Sequence, residues 1–509
     1  MKEFAVAFDI GTTNNKVSIF DKLGKLVVQK SRETPLIFNA HGMGWMEKDA
    51  DAIWNSLCSI CKEIIEESGL DVKKIAGVGV TALRQSIVPV DEHGNAIRDA
   101  ILWGTKATYR QVQFMEDRIG CKRVHEITTR PINPVWAATS ILYILQEERE
   151  IAKRTHKILE IEDFVLYKLG TDDFYSDHSQ SGAIELYDIF KRNWSEELCE
   201  CLEVPINILP KLVEAGMIVG TVSDRSSSLT GIPVGTPIVA GGGDCQTSAI
   251  GCGVIEKGKA NMVIGTAAVG SIFTVNPVID PLARFVCTPH SMPGCYVVDN
   301  NTLSGGVSYK WYVDTFFNKN AKDKYVEVDR EVKKIPVGAR SVMFIPHLVG
   351  SACPYWDAQS KGVFVGMTLQ TSKYDMARAV IEGSCMEISK GFALIEKMGI
   401  DLNEIVICGG ACKKGSPWNQ IQADIYGKPV VLTEAAEITT SLGCAILVEV
   451  ACGVHGSLQE AVDVMVSLGE TLMPDEEKHK KYIDLMRIHD DIYQALKGKR
   501  IFESLFLNE

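Results

Sequence analysis

Asp9 closes an apolar run and is followed by Gly11, Thr12 and Thr13, with Lys16 a little further on, in the stretch FDIGTTNNK. Backbone amides of a tight glycine-containing turn point outward together and form a concave anion site, to which threonine hydroxyls add donors. A carboxylate beside such a turn cannot take phosphate directly, because like charges repel. It fits there through a divalent cation: Mg2+ usually keeps several waters and takes one or two carboxylates together with phosphate oxygens. Lys16 can neutralise a further phosphate oxygen. Hairpins of this kind also arise by chance, so the stretch alone leaves a purely structural turn open.

Two later glycine stretches change the balance. Gly265 and Thr266, in GTAAVG, offer a second anion turn, and Gly409, Gly410 and Ala411, in CGGACKKG, offer backbone without bulky side chains. Two such turns, one from each half, can clamp the β- and γ-phosphates of ATP. The glycines near 409 let backbone approach a flat adenine or ribose. Asp244 follows Gly241, Gly242 and Gly243 and opens an apparent helix over 245–250. Two roles stand open for it: helix N-cap, or general base that takes a hydroxyl proton as the oxygen attacks the γ-phosphorus. On the second reading the glycines clear space that side chains would take from a substrate.

The elements that must position these residues follow from hydrophobic periodicity. Residues 4–9, 16–21 and 25–32 read as three consecutive antiparallel strands, with glycine and asparagine in the turns at 11–15 and 22–24. Ile53, Leu57, Ile60 and Ile64 recur at helical spacing over 49–68. Residues 75–80 and 87–90 are buried-type strands, and 234–240 is an apolar strand running into the glycines before Asp244. A second strand-rich block has strands at 260–264, 271–275 and 296–299, and 404–415 reads as a strand ending in glycines. An amphipathic helix over 474–496 begins at Pro474-Asp475. The pattern repeats one idea twice, a strand hairpin with a Gly- and Thr-rich turn. It predicts two lobes with a cleft, divided as 1–250, 251–455 and a helical extension 456–509.

Composition excludes several classes. The 509 residues are 46% hydrophobic and 23% charged, as in a globular chain with a large core. A net charge of −12 argues against a nucleic-acid binder, which needs clustered Lys and Arg. The first ten residues read as a strand and not a secretory signal, and no run approaches the roughly 20 apolar residues of a membrane span. The expected location is cytoplasmic, with no membrane or nucleic-acid partner and a homodimer left open. The 15 cysteines form no framework and read as reduced thiols. Cys58 and Cys61 make one C-x-x-C without a second pair, so core packing is preferred over the four ligands of a zinc site; Cys199 and Cys201 read the same way.

Over nearly its whole length the chain resembles the FGGY carbohydrate kinases, which share the actin-like, ribonuclease-H-like ATPase fold. The most specific piece is KGVFVGMTLQTSKYDMARAVIEG, which fits the family's C-terminal signature at Gly362, Phe364, Gly366, Met367, Asp375, Met376, Ala379, Val380, Ile381 and Glu382. GWMEKDADAIW, AILW, GGGDCQ and GGACKKGSPWNQIQADIYGKPV are similar to other family segments. The resemblance implies an α/β chain of two such domains using ATP and Mg2+. Asp9 is then the magnesium-side acid, Gly11 to Thr13 the first phosphate turn, Gly265 and Thr266 the second, Gly409 to Ala411 the adenosine loop, and Asp244 the base.

Departures from the family pattern fall on the acceptor pocket. Where xylulokinases carry Met-His-Gly, this chain has TALRQS, and Arg84-Gln85 resembles the Arg-Glu pair of glycerol and autoinducer-2 kinases. After Trp103 stand Gly104, Thr105 and Lys106 in place of Asn-Asp and a basic residue. The GGGD and GTAAVG stretches resemble xylulokinases or autoinducer-2 kinases. Arg84 is either a surface charge or a guanidinium that binds two hydroxyls of a polyol. Trp103 either lines the pocket or belongs to the core. Gln85 stands beside Arg84, and Gln246 bonds the sugar or orients Asp244. The expected activity is phosphorylation of a small sugar or polyol, a ketopentose such as xylulose first, glycerol or a four-carbon polyol next, and an autoinducer-type compound third. An actin- or chaperone-like ATPase and a non-catalytic sugar sensor are the rivals from other classes.

Overall fold

The computed structural model describes residues 2–318, 323–410 and 413–506. β1 (Phe4–Ile10), β2 (Asn14–Asp21) and β3 (Leu26–Glu33) form the expected antiparallel meander, in a register that sets Asp9 opposite Lys16. α1 (Ala50–Ser68) is capped by Asp49, whose carboxylate accepts from Ala52 N at 2.9 Å. Its apolar stripe of Ile53, Leu57, Ile60 and Ile64 is buried, and each such side chain contributes about 1.5–3 kcal/mol on leaving water. Cys58 and Cys61 lie buried on the same helix.

β4 (Ile75–Ala82) runs parallel to β1. α2 (Ile161–Leu169) follows, then β5 (Ile218–Thr221) and β6 (Pro237–Gly243). The first sheet has the order β5-β6-β4-β1-β2-β3. β6, β4 and β1 are parallel neighbours, so their carboxyl ends line one edge. In open α/β sheets that edge is where ligands bind.

α3 (Asp244–Gly251) leads into the second half. Its strands are β7 (Gly258–Ile264), β8 (Ala268–Thr274), β9 (Val286–Pro289), β10 (Tyr296–Thr302), β11 (Leu402–Cys408), β12 (Val430–Thr433) and β13 (Leu468–Leu472). Their order is β9-β10-β8-β7-β11-β12-β13. A hairpin (β7, β8) again continues through a parallel strand (β11) on the far side of its first member, with β12 parallel and β13 antiparallel beyond. Apart from the extra edge strand β9, the second sheet repeats the strand directions of the first, although its antiparallel edge strand β13 follows β12 in the chain where β5 precedes β6.

α4 (Thr439–Ala451) comes late in the chain but lies against the first sheet. Gly77 and Gly79 of β4 admit it: a Cβ on Gly79 would sit 2.7 Å from Cys444 Sγ and from a methyl of Val448. Ala5, Phe20 and Val239 of the first sheet share one apolar cluster with Leu442, Ala445, Ile446 and Val448. α3 and α4 cross almost in contact. A Cβ on Gly443 would lie 1.8 Å from Thr247 O, and one on Gly251 would lie 2.0 Å from Thr439 O.

Several boundaries differ from the periodicity, among them three with a clear cause or consequence. β6 starts at Pro237 and not at 234, because Gly235 turns the chain at φ +79°. It then runs on through Gly243. β8 begins at Ala268, directly after the Gly-Thr turn, instead of at 271. The tail helix is α5 (Glu476–Gly498), and Asp475 caps it by accepting from Glu477 N and Lys478 N at 3.1 Å each. Its buried Tyr482 donates to Glu382 Oε1 at 2.7 Å, which docks α5 on the second half.

Candidate active site

Asp9 and Asp244 stand at the carboxyl ends of strands on either side of β4. Asp9 pairs in register with Thr81, and Gly242 pairs with the same Thr81 from the other side. Two inter-strand spacings place the strand ends about 10 Å apart. Thr81 joins them from below: its hydroxyl donates to Gly242 O at 2.7 Å and meets Thr247 Oγ1 at 2.9 Å.

Asp9 is buried, and its Oδ2 accepts from Lys16 Nζ at 3.2 Å and from Ser441 Oγ at 3.0 Å. The cation that the sequence assigns to phosphate therefore pairs with this acid. Next to it, Gly11 N donates to Asn14 O at 2.9 Å, closing the turn over Thr12 and Thr13. Lys48 braces the turn from beneath by donating to Gly11 O (3.3 Å) and Thr12 O (3.1 Å), and burial lowers its pKa to about 8. Nothing in the motif flagged Lys48, which sits between Glu47 and Asp49 just before α1. Trp103 is 41% exposed, a wall and not core, and its Nε1 donates to Thr12 Oγ1 at 3.1 Å.

Asp244 is the first residue of α3, and Gly243 holds the cap position. The carboxylate accepts from Cys245 N at 2.7 Å and is partly open to the cleft. Burial raises its pKa above the ordinary carboxylate range, the positive charge of Arg84 opposes that rise, and the negative charge of Asp9 adds to it. Arg84 is buried rather than on the surface. Its Nη2 lies 3.6 Å from Asp299 Oδ2 on β10, and its Nη1 is buried without an acceptor. Gln246 is fully buried, and both polar atoms of its amide lack a partner. Gln85 is held at φ +58°, its N donating to Glu160 Oε1 at 2.8 Å. A buried guanidinium nitrogen and a whole amide without partners can hydrogen-bond to a polar ligand, since such groups cost free energy when left unpaired.

The glycines before Asp244 face protein atoms and not open substrate space. A Cβ on Gly241 would lie 2.1 Å from Val80 O, and one on Gly242 would lie 2.3 Å from Ser291 Oγ. On Gly243 it would meet Gln246 Oε1 at 2.6 Å and Arg84 Cδ at 2.7 Å. Of the three, only Gly243 makes room for Arg84 and Gln246.

The second group sits on the other sheet. Gly265 and Thr266 form the exposed turn between β7 and β8, closed by Gly265 N donating to Ala267 O at 3.0 Å. Gly409, at φ +98°, ends β11 against Ile264, where a Cβ would be 2.6 Å from Ile264 O. Gly265, Thr266 and Gly410 line a cavity of about 430 Å³ with Tyr309, Tyr325 and Trp418. Ala411 lies outside the described residues. The two groups meet through Asp299, which reaches Arg84, and through Ser441, which reaches Asp9. Asp299, Ser441 and Glu160 carried no motif; each comes from a segment distant in sequence.

Residues 4–251 match the N-terminal domain, and residues 260–452 the C-terminal domain, of the FGGY family of carbohydrate kinases. A xylulose kinase from Staphylococcus epidermidis is 28% identical over 497 residues, covering 98% of each chain. A glycerol kinase from Lactococcus lactis is 28% identical over 94% of this chain and 96% of its own. The crystal structure of gluconate kinase from Lactobacillus acidophilus superposes with a TM-score of 0.89 at 24% identity, over 97% of this chain and 98% of that one. With both domains matched in order and the two-lobe fold shared, the chain belongs to the FGGY family of carbohydrate kinases, phosphotransferases that use ATP.

Proposed function

We propose that the protein transfers the γ-phosphoryl group of ATP to a primary hydroxyl of a ketopentose, xylulose before others, with Asp244 as general base. The observation that carries this reading is the pair Asp9 and Asp244, set on either side of β4 at one sheet edge, with Arg84 Nη1 and the Gln246 amide unpaired beside the second acid. The relatives named xylulose kinase support the acceptor; the Arg84-Gln85 pair keeps glycerol or a four-carbon polyol as the second reading.

The nucleotide would enter the cavity beside Gly265, Thr266 and Gly410, its phosphates directed at the first turn across the cleft. Asp9 offers hard carboxylate oxygen at that turn, the donor type Mg2+ takes. The donor set therefore fits Mg2+, which when bound supplies charge neutralisation on the phosphates. Arg84 and Gln246 would orient the sugar so that its hydroxyl stands in line with the γ-phosphorus. Asp244 accepts the hydroxyl proton as the O–P bond forms and the bond to ADP breaks. Its raised pKa makes it a stronger base, while the charge of Arg84 favours its ionised form. Closing the lobes would exclude water, which otherwise competes with the sugar.

ADP release measured with ketopentoses, glycerol, four-carbon polyols and autoinducer precursors tests the reading. The highest kcat/KM is expected with xylulose. ADP release that ignores every acceptor would point instead to an ATPase cycle.

A further inference from the structure

Three successive amides at the end of β6 are satisfied by side chains. Gly241 N and Gly242 N both donate to Glu162 Oε1, at 3.0 and 2.9 Å, and Gly243 N donates to Ser179 Oγ at 2.8 Å. The Ser179 hydroxyl in turn donates to Asp177 Oδ1 at 2.6 Å. The cause lies in the strand. Ala240 pairs with Val80 and Gly242 with Thr81, so Gly241 is an extra residue, a bulge with no opposite number on β4. Bulges leave the ladder locally unpaired and re-aim the residues after them. Asp244 follows three residues after the bulge, and Gly241, Gly242 and Gly243 have no side chains with which to hold themselves.

Glu162 lies in the first turn of α2 and, like Asp177, is fully buried. The second oxygens of both, Glu162 Oε2 and Asp177 Oδ2, meet no conventional donor. The two carboxyls are buried neighbours, and neighbouring carboxyls in a dry interior do not both ionise. Burial, with the neighbouring charges of Asp177 and Asp163, holds the Glu162 pKa well above the ordinary range. A neutral Glu162 keeps its carbonyl oxygen on the two glycine amides without leaving a charge in the dry interior.

We propose that Glu162 is a positioning residue for the transfer, a buried carboxyl that takes both amides of the bulge at Gly241 and Gly242 and thereby sets the direction of Asp244. The inference rests on Asp244 being the base. It separates Glu162 from a charged partner of the site, because a neutral amide of the same shape can do the same work. Gln offers a carbonyl to both glycine amides; Leu offers none.

The test uses the full-length enzyme with ATP and its best acceptor. Glu162→Gln is expected to keep kcat within about threefold of wild type, and Glu162→Leu to lose roughly 100-fold in kcat with the KM for ATP unchanged, the scale of a misplaced reacting group. A role in stability alone would lower the melting temperature and leave kcat per folded molecule intact. Glu162→Leu with near-normal kcat overturns the proposal, and so does a Gln variant as poor as the Leu variant. Should the Leu variant not fold, hydrogen exchange on the wild-type protein decides. The amides of Gly241 and Gly242 are expected to exchange as slowly as those of β4, and exchange at loop rates overturns the clamp. Full turnover by Asp244→Asn would instead remove the base itself, an outcome distinct from a failure at Glu162.

Discussion

Ser441 donates a 3.0 Å hydrogen bond to Asp9, which precedes it by 432 residues. The bond ties α4 to the mouth of the first phosphate turn, and the same helix crosses α3, which begins at Asp244. Both acids of the site are therefore referenced to one helix–helix crossing, whose closeness depends on Gly251 and Gly443.

Gly443→Ala should break that reference. The added Cβ would fall 1.8 Å from Thr247 O, a backbone atom that cannot move aside. The expected cost is about 1–3 kcal/mol, typical of overpacking, read as a lower melting temperature, together with reduced kcat. A variant with wild-type melting and turnover would contradict the packing described here.

Arg84→Met tests the acceptor pocket. The buried guanidinium has one nitrogen near Asp299 and one with no acceptor. Hydrogen bonds to a charged group are worth about 1.5–3 kcal/mol, so the sugar KM should rise roughly 10- to 100-fold while the KM for ATP stays put. Equal loss for both substrates would place Arg84 outside the acceptor pocket.

Gly409→Ala tests the nucleotide side. It combines a left-handed backbone at φ +98° with a Cβ 2.6 Å from Ile264 O. The expected result is a higher KM for ATP at unchanged sugar KM, measured by initial rates with one substrate saturating. A change confined to the sugar would separate this loop from the nucleotide.

The strands and turns of the site were legible because their signals are local. Apolar runs ending in Asp9 or in Gly241 to Gly243 announce strand ends whatever surrounds them, and the Asp49 and Asp475 caps mark two helix starts. What the sequence hid is non-local. Lys48 is an ordinary lysine until the fold places it beneath Gly11 and Thr12. Ser441 becomes part of the site only because α4 returns to the first sheet. The glycines before Asp244 were visible, but their cause was not: Val80 O and Ser291 Oγ, which exclude side chains at Gly241 and Gly242, lie on other strands and loops. Arg84 looked like a surface charge for the same reason, since its burial depends on β10.

Glu449 gives a pH prediction independent of catalysis. It is fully buried on α4 with both carboxylate oxygens unpartnered. Burial raises its pKa to about 7, with the charge of Asp21 adding and that of Lys22 opposing. Between about pH 4.5 and 7 the folded chain holds a proton that the unfolded chain has released, so this group's contribution to stability is present at low pH and lost as pH rises through 7. Glu449→Gln should therefore gain on wild type as pH increases, by at most on the order of 3 kcal/mol at pH 8, with little difference near pH 4.5. Melting temperatures at pH 5, 6, 7 and 8 read this directly; a constant offset across that range would refute it.

The central claim is that Asp244 takes the proton of the acceptor hydroxyl, and the most direct measurement is single-turnover phosphoryl transfer by Asp244→Asn beside its affinity for ATP. The account predicts a loss of transfer of roughly 100- to 10,000-fold, the usual share of a general base, with ATP affinity close to wild type. Transfer at the wild-type rate in that variant would contradict it.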